Sequence, residues 1–247
     1  MTSAAINQHS QNSTKWSLRD AFHVCLAIAL LIVGFNALLI AINAQALFAN
    51  STHKGLWTLG LFTIQNIAFL VPLYILVMRK YGVGLSALGF RKMPVKEAIT
   101  WTLKAISLVF LINAVLAFVI LPNTNDLPGF SPQAPFLPLF GDGALNLGIA
   151  VLVLVIIAPI VEELIFRGFL LQTFLARFSA TASSLITATL FAALHFEFQS
   201  IGIMLILALI LNWLFIRTRS LVPCIAFHIF NNGVAFLLEW LVQSGRL

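Results

Sequence analysis

Residues 145–166 read LNLGIAVLVLVIIAPIVEELIF, an apolar stretch that carries two adjacent glutamates, Glu162 and Glu163, close to its end. A membrane-spanning helix needs about 20 apolar residues, so this stretch is long enough to cross a bilayer. A carboxylate near the bilayer centre costs about 2.5–3.5 kcal/mol on insertion scales. The stretch therefore predicts a membrane helix with a functional site, and the alternative is a structural ion pair that holds helices together.

The composition extends this conclusion to the whole chain. Hydrophobic residues make up 60% of the 247 positions and charged residues only 9%, whereas soluble domains have roughly 25% charged residues. The mean hydropathy is +1.01. These values indicate an integral membrane protein without a separate soluble domain. The net charge of +6 does not indicate a nucleic-acid partner, because the basic residues lie in short loops beside apolar runs.

Seven apolar runs predict the fold. An all-α, polytopic membrane helix bundle of about seven transmembrane helices is expected, as a single domain over residues 15–247 after a disordered polar tail at 1–14. The first run is too long for a signal peptide, whose apolar core has about 7–15 residues. The runs lie at about 21–43, 56–78, 98–121, 145–166, 181–196, 200–216 and 221–243.

The basic residues predict the orientation. Only Lys54 and Arg246 fall on one side of the predicted topology, Lys104 lies within a helix, and the rest of the 14 share the other side. Cytoplasmic loops are enriched in Lys and Arg, so we expect a cytoplasmic N-terminus and an external C-terminus. The residues assigned to the cytoplasmic side are Lys15, Arg19, Arg79, Lys80, Arg91, Lys92, Lys96, Arg167, Arg177, Arg217 and Arg219.

Helical spacing separates the two glutamates. Glu163 and Arg167 are four residues apart and share a helix face, where they can form an ion pair. Glu162 is turned about 100° away from Glu163. The two carboxylates are thus expected to have different roles, Glu163 held by Arg167 and Glu162 facing a cavity. Pro159 lacks a backbone N–H and predicts a kink beside the acids.

Two histidines also lie in or beside apolar helices. His195 follows Phe191 by four residues, and His228 precedes Asn232 by four. A single histidine in an apolar helix is most often a packing residue. Two of them with an acid pair and an asparagine can instead hold and deprotonate a water molecule, or bind a zinc ion.

The three motifs together resemble a known family. Glu162-Glu163-x-x-x-Arg167, Phe191-x-x-x-His195 and His228-x-x-x-Asn232 are similar, in this order and on hydrophobic helices, to the motifs of the CPBP intramembrane proteases. That family includes the type II CAAX prenyl endopeptidases and bacterial Abi or bacteriocin-immunity-type proteins. The motif-bearing region covers about residues 145–240.

The resemblance implies roles for these residues. Glu162 would be the catalytic base that activates water, assisted by His195, while His228 and Asn232 would orient water or stabilise the oxyanion. Glu163, Arg167 and Phe191 would support the site. A Zn²⁺ ion held by Glu162, His195 and His228 is one implied mechanism, and a metal-free glutamate mechanism is the other.

The sequence therefore favours an intramembrane endopeptidase of the bacterial inner membrane, acting near the cytoplasmic face. Its partners would be a peptide or membrane-protein substrate and the lipid bilayer. The alternative is a non-catalytic membrane protein, such as an immunity factor, scaffold or small transporter, that uses the same polar residues as a binding site. A transporter is expected to show two matched halves with broken helices, and no matching half is present.

Overall fold

The computed structural model describes residues 14–49, 51–116, 118, 129–130, 133 and 135–247. Apart from Thr14, the predicted disordered tail at 1–14 lies outside these residues. Helices and connecting turns make up the described chain, which contains no strand within these ranges. The predicted all-α class is confirmed.

Eight helices can be numbered along the described chain. Six of them are long and apolar enough to cross a membrane, so the chain is a multi-pass membrane protein. The eight helices are α1 (Leu18–Ala41), α2 (Ala44–Ala49), α3 (Lys54–Arg79), α4 (Val95–Val115), α5 (Ala144–Leu175), α6 (Ala180–Ala193), α7 (Ile201–Thr218) and α8 (Leu221–Gln243), and all but α2 and α6 are candidate spans.

The fifth predicted run is shorter than a full span. Helix α6 has 14 residues and ends at Ala193, before the predicted end at residue 196. The chain reverses here because Phe196 adopts a left-handed backbone conformation with φ of 54°. A turn at Phe198–Ser200 then leads into α7. His195 thus lies in the turn after α6 instead of within the helix.

The fourth predicted run ends too early. Helix α5 continues to Leu175, nine residues beyond Phe166, and Arg167 lies inside it. The sequence prediction placed Arg167 at the end of this helix and counted it among the basic residues between the fourth and fifth runs. Residues 168–171 are Gly-Phe-Leu-Leu, however, and this apolar stretch continues the helix until it ends at Leu175. The other ten basic residues assigned to the cytoplasmic side lie outside this helix, and the orientation stays a prediction.

The chain forms two compact units, and the first comprises residues 16–84, 135–165 and 229–247. Its core lies where α3 packs against the beginning of α5. Thr58 of α3 donates its hydroxyl to the carbonyl of Leu139, and Glu239 of α8 accepts the backbone N–H of Leu137 at 2.7 Å. The buried residues of this core are Leu137, Phe140, Ile149, Ala150 and Val153.

The second unit contains the described residues of 85–134 together with 166–228. Helices α6 and α7 pack against each other, and α4 packs on α7 through an edge-to-face contact of Trp101 and Trp213, with ring centroids 5.7 Å apart. The backbone N–H of Leu221 donates to the carbonyl of Gly89. A side chain at Gly89 would clash with Phe215, and its φ is 100°. Glycine is therefore required where this loop meets α7.

A buried carboxylate fixes the start of α1 in the first unit. Asp20 is 4% exposed and accepts hydrogen bonds from Ser17, Lys80 and Tyr81, the Lys80 Nζ lying 2.6 Å from its Oδ1. Ser17 and Asp20 also form a reciprocal capping box. The bond to Asp20 raises the pKa of Lys80. The stability linked to this raised pKa of Lys80 is therefore present at neutral pH and is lost as the pH rises above about 10.4.

We expect Asp20→Ala to lower the free energy of unfolding by about 1–3 kcal/mol, because it leaves the donors of Ser17, Lys80 and Tyr81 without their acceptor. Thermal unfolding in a mild detergent measures this loss. Glu97→Ala is the matched control, since Glu97 is an exposed acid in the first turn of α4. Equal thermal midpoints for the two variants would contradict the role given to Asp20.

Candidate active site

Helix α5 changes its backbone geometry on both sides of the acid pair. Residues Val151–Ile157 and Leu164–Leu171 form wide π-helical turns, and the α-helical segment Ala158–Glu163 lies between them. Pro159 stands in the first turn of that segment. It has no N–H to donate to the carbonyl four residues earlier, and the preceding wide turn adjusts the helix to this loss. Such turns occur frequently at functional sites.

The two glutamates occupy different environments within the first unit. Glu163 is completely buried, whereas Glu162 is partly exposed. This difference agrees with the separation of about 100° expected for adjacent residues of a helix. Glu162 is thus the carboxylate of the pair that water or a substrate can approach. The predicted ion pair between Glu163 and Arg167 stays a prediction.

Asn232 joins α8 to α5 within the same unit. Its Nδ2 donates to the carbonyl of Leu154 at 3.1 Å. Leu154 lies in the first wide turn of α5, where the regular helical hydrogen bonds are altered. An asparagine amide carries two N–H donors, and this bond uses one of them. The bond holds the Asn232 side chain beside Leu154, which precedes Glu162 by two turns of α5.

Arg167 lies at the centre of the second unit and is completely buried. Its Nε donates to Oδ1 of Asn212 at 3.1 Å, and its Nη2 donates to the carbonyl of Ala208 at 3.3 Å. The guanidinium also lies over the ring of Phe191, 4.7 Å from the ring centroid. A buried cation is tolerated only when its donors are satisfied, and these contacts contribute to that.

Phe191 connects Arg167 with both histidines. Its ring centroid lies 4.5 Å from that of His195 and 6.1 Å from that of His228. Phe166 contacts the same ring edge-to-face at 4.9 Å. Phe191 is completely buried, so its position is fixed by these neighbours. The structure thereby brings four predicted site residues of the second unit into one cluster: Arg167, Phe191, His195 and His228.

The hydrogen bond of His195 determines its tautomer. Its Nδ1 lies 2.7 Å from the carbonyl oxygen of Phe191. A carbonyl only accepts hydrogen bonds, so Nδ1 carries the proton. In the neutral ring, Nε2 then has the lone pair and can accept a proton or bind an electrophile. His195 is partly exposed, whereas His228 is only 2% exposed.

Asn212 is a site residue that the sequence prediction missed. An amide in an apolar membrane helix is usually expected to form an interhelical hydrogen bond. Asn212 does form one, from Nδ2 to the carbonyl of Ser184 in α6, and it also accepts from Arg167. Asn36 and Asn66, two other amides in apolar helices, donate to carbonyls of their own helices instead. The only sequence signal is that Asn212 is the one amide within the apolar helix α7.

The zinc ligands predicted from the resemblance were Glu162, His195 and His228. Across the residues that the structure describes, no three His, Cys, Asp or Glu side chains are grouped in a way that could hold a metal ion. The two cysteines, Cys25 and Cys224, are free thiols.

The comparisons with known proteins agree with the motifs. The family model for Type II CAAX prenyl endopeptidase Rce1-like proteins matches residues 144–234. The predicted resemblance to the CPBP family is confirmed over this segment. No curated protein and no solved structure matched the chain. The matched segment contains every motif residue: Glu162, Glu163, Arg167, Phe191, His195, His228 and Asn232.

Proposed function

We propose that this chain is an intramembrane endopeptidase that hydrolyses a peptide bond with a water molecule activated by Glu162 and His195. The observation that carries the proposal is the match over residues 144–234, because this segment holds all the motif residues on apolar helices. At the level of the family, the match supports a CAAX-type intramembrane protease. The substrate class is a peptide, a lipid-anchored chain or the tail of a membrane protein.

Glu162 is proposed as the base. It takes a proton from water, and the resulting hydroxide attacks the carbonyl carbon of the scissile peptide bond. Of the two adjacent acids, Glu162 is the partly exposed one, which supports this assignment. The same proton then passes to the leaving amine as the carbon–nitrogen bond breaks. Glu162 is thereby returned to its starting state, and one water is consumed for each bond cleaved.

His195 is proposed to assist this proton transfer. The bond from Nδ1 to the carbonyl of Phe191 leaves Nε2 as the acceptor nitrogen, and it restrains the rotation of the ring. An oriented imidazole can hold the attacking water and stabilise the charge that develops on it. This orientation supports a role in the reaction more than one in packing alone.

His228 and Asn232 are proposed to stabilise the tetrahedral oxyanion. Asn232 uses one N–H for Leu154 and can direct the second towards the oxygen that becomes charged. His228 is buried, where a hydrogen bond to a developing charge is stronger than in water. Removing one oxyanion donor typically lowers kcat by about 10²–10³-fold.

The test of the proposed function is cleavage of a peptide library by the purified protein in lipid nanodiscs, followed by mass spectrometry. The library contains peptides with and without a C-terminal prenyl group, and transmembrane peptides with short tails. We expect cleavage at defined bonds and none by Glu162→Gln. Binding of a peptide without cleavage would support the alternative, a non-catalytic scaffold or immunity factor.

We propose the metal-free form of the mechanism, in which Glu162 itself takes the proton from the water. Turnover is then expected to be unchanged by phenanthroline, and active protein is expected to contain no stoichiometric zinc. The non-chelating isomer of phenanthroline controls for blockage of the cavity. Loss of turnover with the chelator, regained with added zinc at about one ion per active chain, would contradict this mechanism.

The orientation and location are also proposals. We place the chain in a bacterial inner membrane, with the N-terminus in the cytoplasm and the C-terminus outside. In a variant without Cys25 and Cys224, a new cysteine at Leu85 should react with an impermeant maleimide only after the cells are opened. A cysteine at Gln133 or Ser244 should react in intact cells. Labelling of positions 85 and 133 from the same side would contradict the proposed topology.

A further inference from the structure

Asn212 is a completely buried amide that connects three helices of the second unit. Its Nδ2 donates to the carbonyl of Ser184 in α6 at 2.9 Å. Its Oδ1 accepts the Nε proton of Arg167 in α5 at 3.1 Å. Asn212 itself belongs to α7. The side chain therefore uses both halves of its amide group, one for each neighbouring helix.

Helix α7 offers Arg167 a second acceptor one turn before Asn212. The carbonyl of Ala208 accepts from Nη2 at 3.3 Å. Two acceptors on one helix face, four residues apart, engage two nitrogens of the planar guanidinium. They restrict its rotation about the axis of the side chain. The plane of the guanidinium is thus defined by α7.

The plane of the guanidinium matters because one face of it lies over Phe191. The Arg167 Cζ is 4.7 Å from the centroid of the Phe191 ring, whose other contacts include the rings of His195 and His228. Phe191 also provides the carbonyl that fixes the tautomer of His195. A rotation of the guanidinium would alter its contact with the ring that also packs against both histidines.

We propose that Asn212 is a positioning residue for the peptidase reaction, which holds the Arg167 guanidinium against Phe191 and thereby fixes the two histidines. This inference rests on the proposed function. An amide suits the position because it provides an acceptor for Arg167 and a donor for Ser184 without adding a charge. Leucine has a similar volume and provides neither. Aspartate keeps the acceptor and loses the donor.

The experiment compares Asn212→Leu with Thr187→Val and Asn212→Asp. Thr187 is a completely buried residue of α6 whose hydroxyl donates to the carbonyl of Ser183 in its own helix. Thermal midpoints, kcat and KM are measured on the same preparations in nanodiscs, with a cleaved peptide as the substrate. Thr187→Val reports the effect of losing a buried hydrogen bond that has no connection to Arg167.

Asn212→Leu is expected to lower kcat by about 10- to 100-fold, with KM within about threefold of the wild-type value. Thr187→Val should keep kcat within about threefold of the wild-type value, although its thermal midpoint falls by an amount comparable to that of Asn212→Leu. Asn212→Asp should recover most of the lost kcat although its midpoint stays lowered, because Arg167 retains its acceptor. If kcat follows the thermal midpoint alone across the three variants, Asn212 is a structural residue and the proposal is wrong.

A double-mutant cycle separates this inference from the proposed function. The thermal midpoints of Asn212→Leu, Arg167→Met and the double variant are compared. If Asn212 acts through Arg167, the double variant loses less than the sum of the single losses. Additive losses would overturn the inference. Failure of the wild-type protein to cleave any peptide would overturn both the proposed function and the positioning role of Asn212. The double-mutant cycle would then still test whether the hydrogen bond between Asn212 and Arg167 stabilises the protein.

Discussion

Glu162→Gln is expected to lower kcat by about 10³-fold or more while the protein keeps its fold. Glutamine has nearly the same shape as glutamate and cannot take a proton from water, so the variant removes the proposed base alone. Glutamine also keeps a side-chain oxygen that can accept a hydrogen bond, so the fold is expected to be retained. Peptide cleavage followed by mass spectrometry measures the loss, and thermal unfolding confirms the fold.

Glu163→Gln is the matched control for this prediction. Glu163 is completely buried, and its predicted partner is Arg167. Removing one member of a buried ion pair typically costs about 3–5 kcal/mol, so this variant should lose stability as well as activity. The division of roles would be refuted if both variants were fully folded and had lost turnover to the same extent.

Arg167→Met is expected to reduce the free energy of unfolding by about 3–5 kcal/mol. The substitution keeps much of the apolar volume but leaves Oδ1 of Asn212 and the carbonyl of Ala208 without their donor. It also removes the cation from the face of Phe191. For a chain of this length, each kcal/mol shifts the thermal midpoint by roughly 2–4 °C. Thermal unfolding in the same detergent or nanodisc measures the shift.

Arg167→Lys is the control for charge. Lysine retains the positive charge, but its single ammonium group does not reproduce the planar arrangement that engages two acceptors of α7. Its midpoint should fall between those of the wild-type protein and Arg167→Met. If Arg167→Met unfolded at the wild-type temperature, the central role of Arg167 in the second unit would have to be abandoned.

The sequence was sufficient to predict much of the site because helical geometry is local. The spacing of Glu162 and Glu163 predicted that they would meet different environments, and one is partly exposed while the other is buried. The motif spacings also predicted that Phe191 and His195 share a face, and their rings are in contact. These inferences use only the angle of about 100° between successive residues of an α-helix, and packing against neighbouring helices changes that angle little.

The sequence by itself determined the all-α class, the approximate positions of most membrane helices and the identity of the motif residues, because hydropathy and spacing are properties of single segments. Only the tertiary structure decided that Arg167 is interior, that Asn212 binds it, and that His195 carries its proton on Nδ1. These features depend on which faces of α6 and α7 meet. The two helices are apolar on nearly every side, and a bilayer removes the contrast between solvent and core that reveals a buried face in soluble proteins. The packing of small and polar groups between helices then selects the contact faces, and it joins residues far apart in the chain.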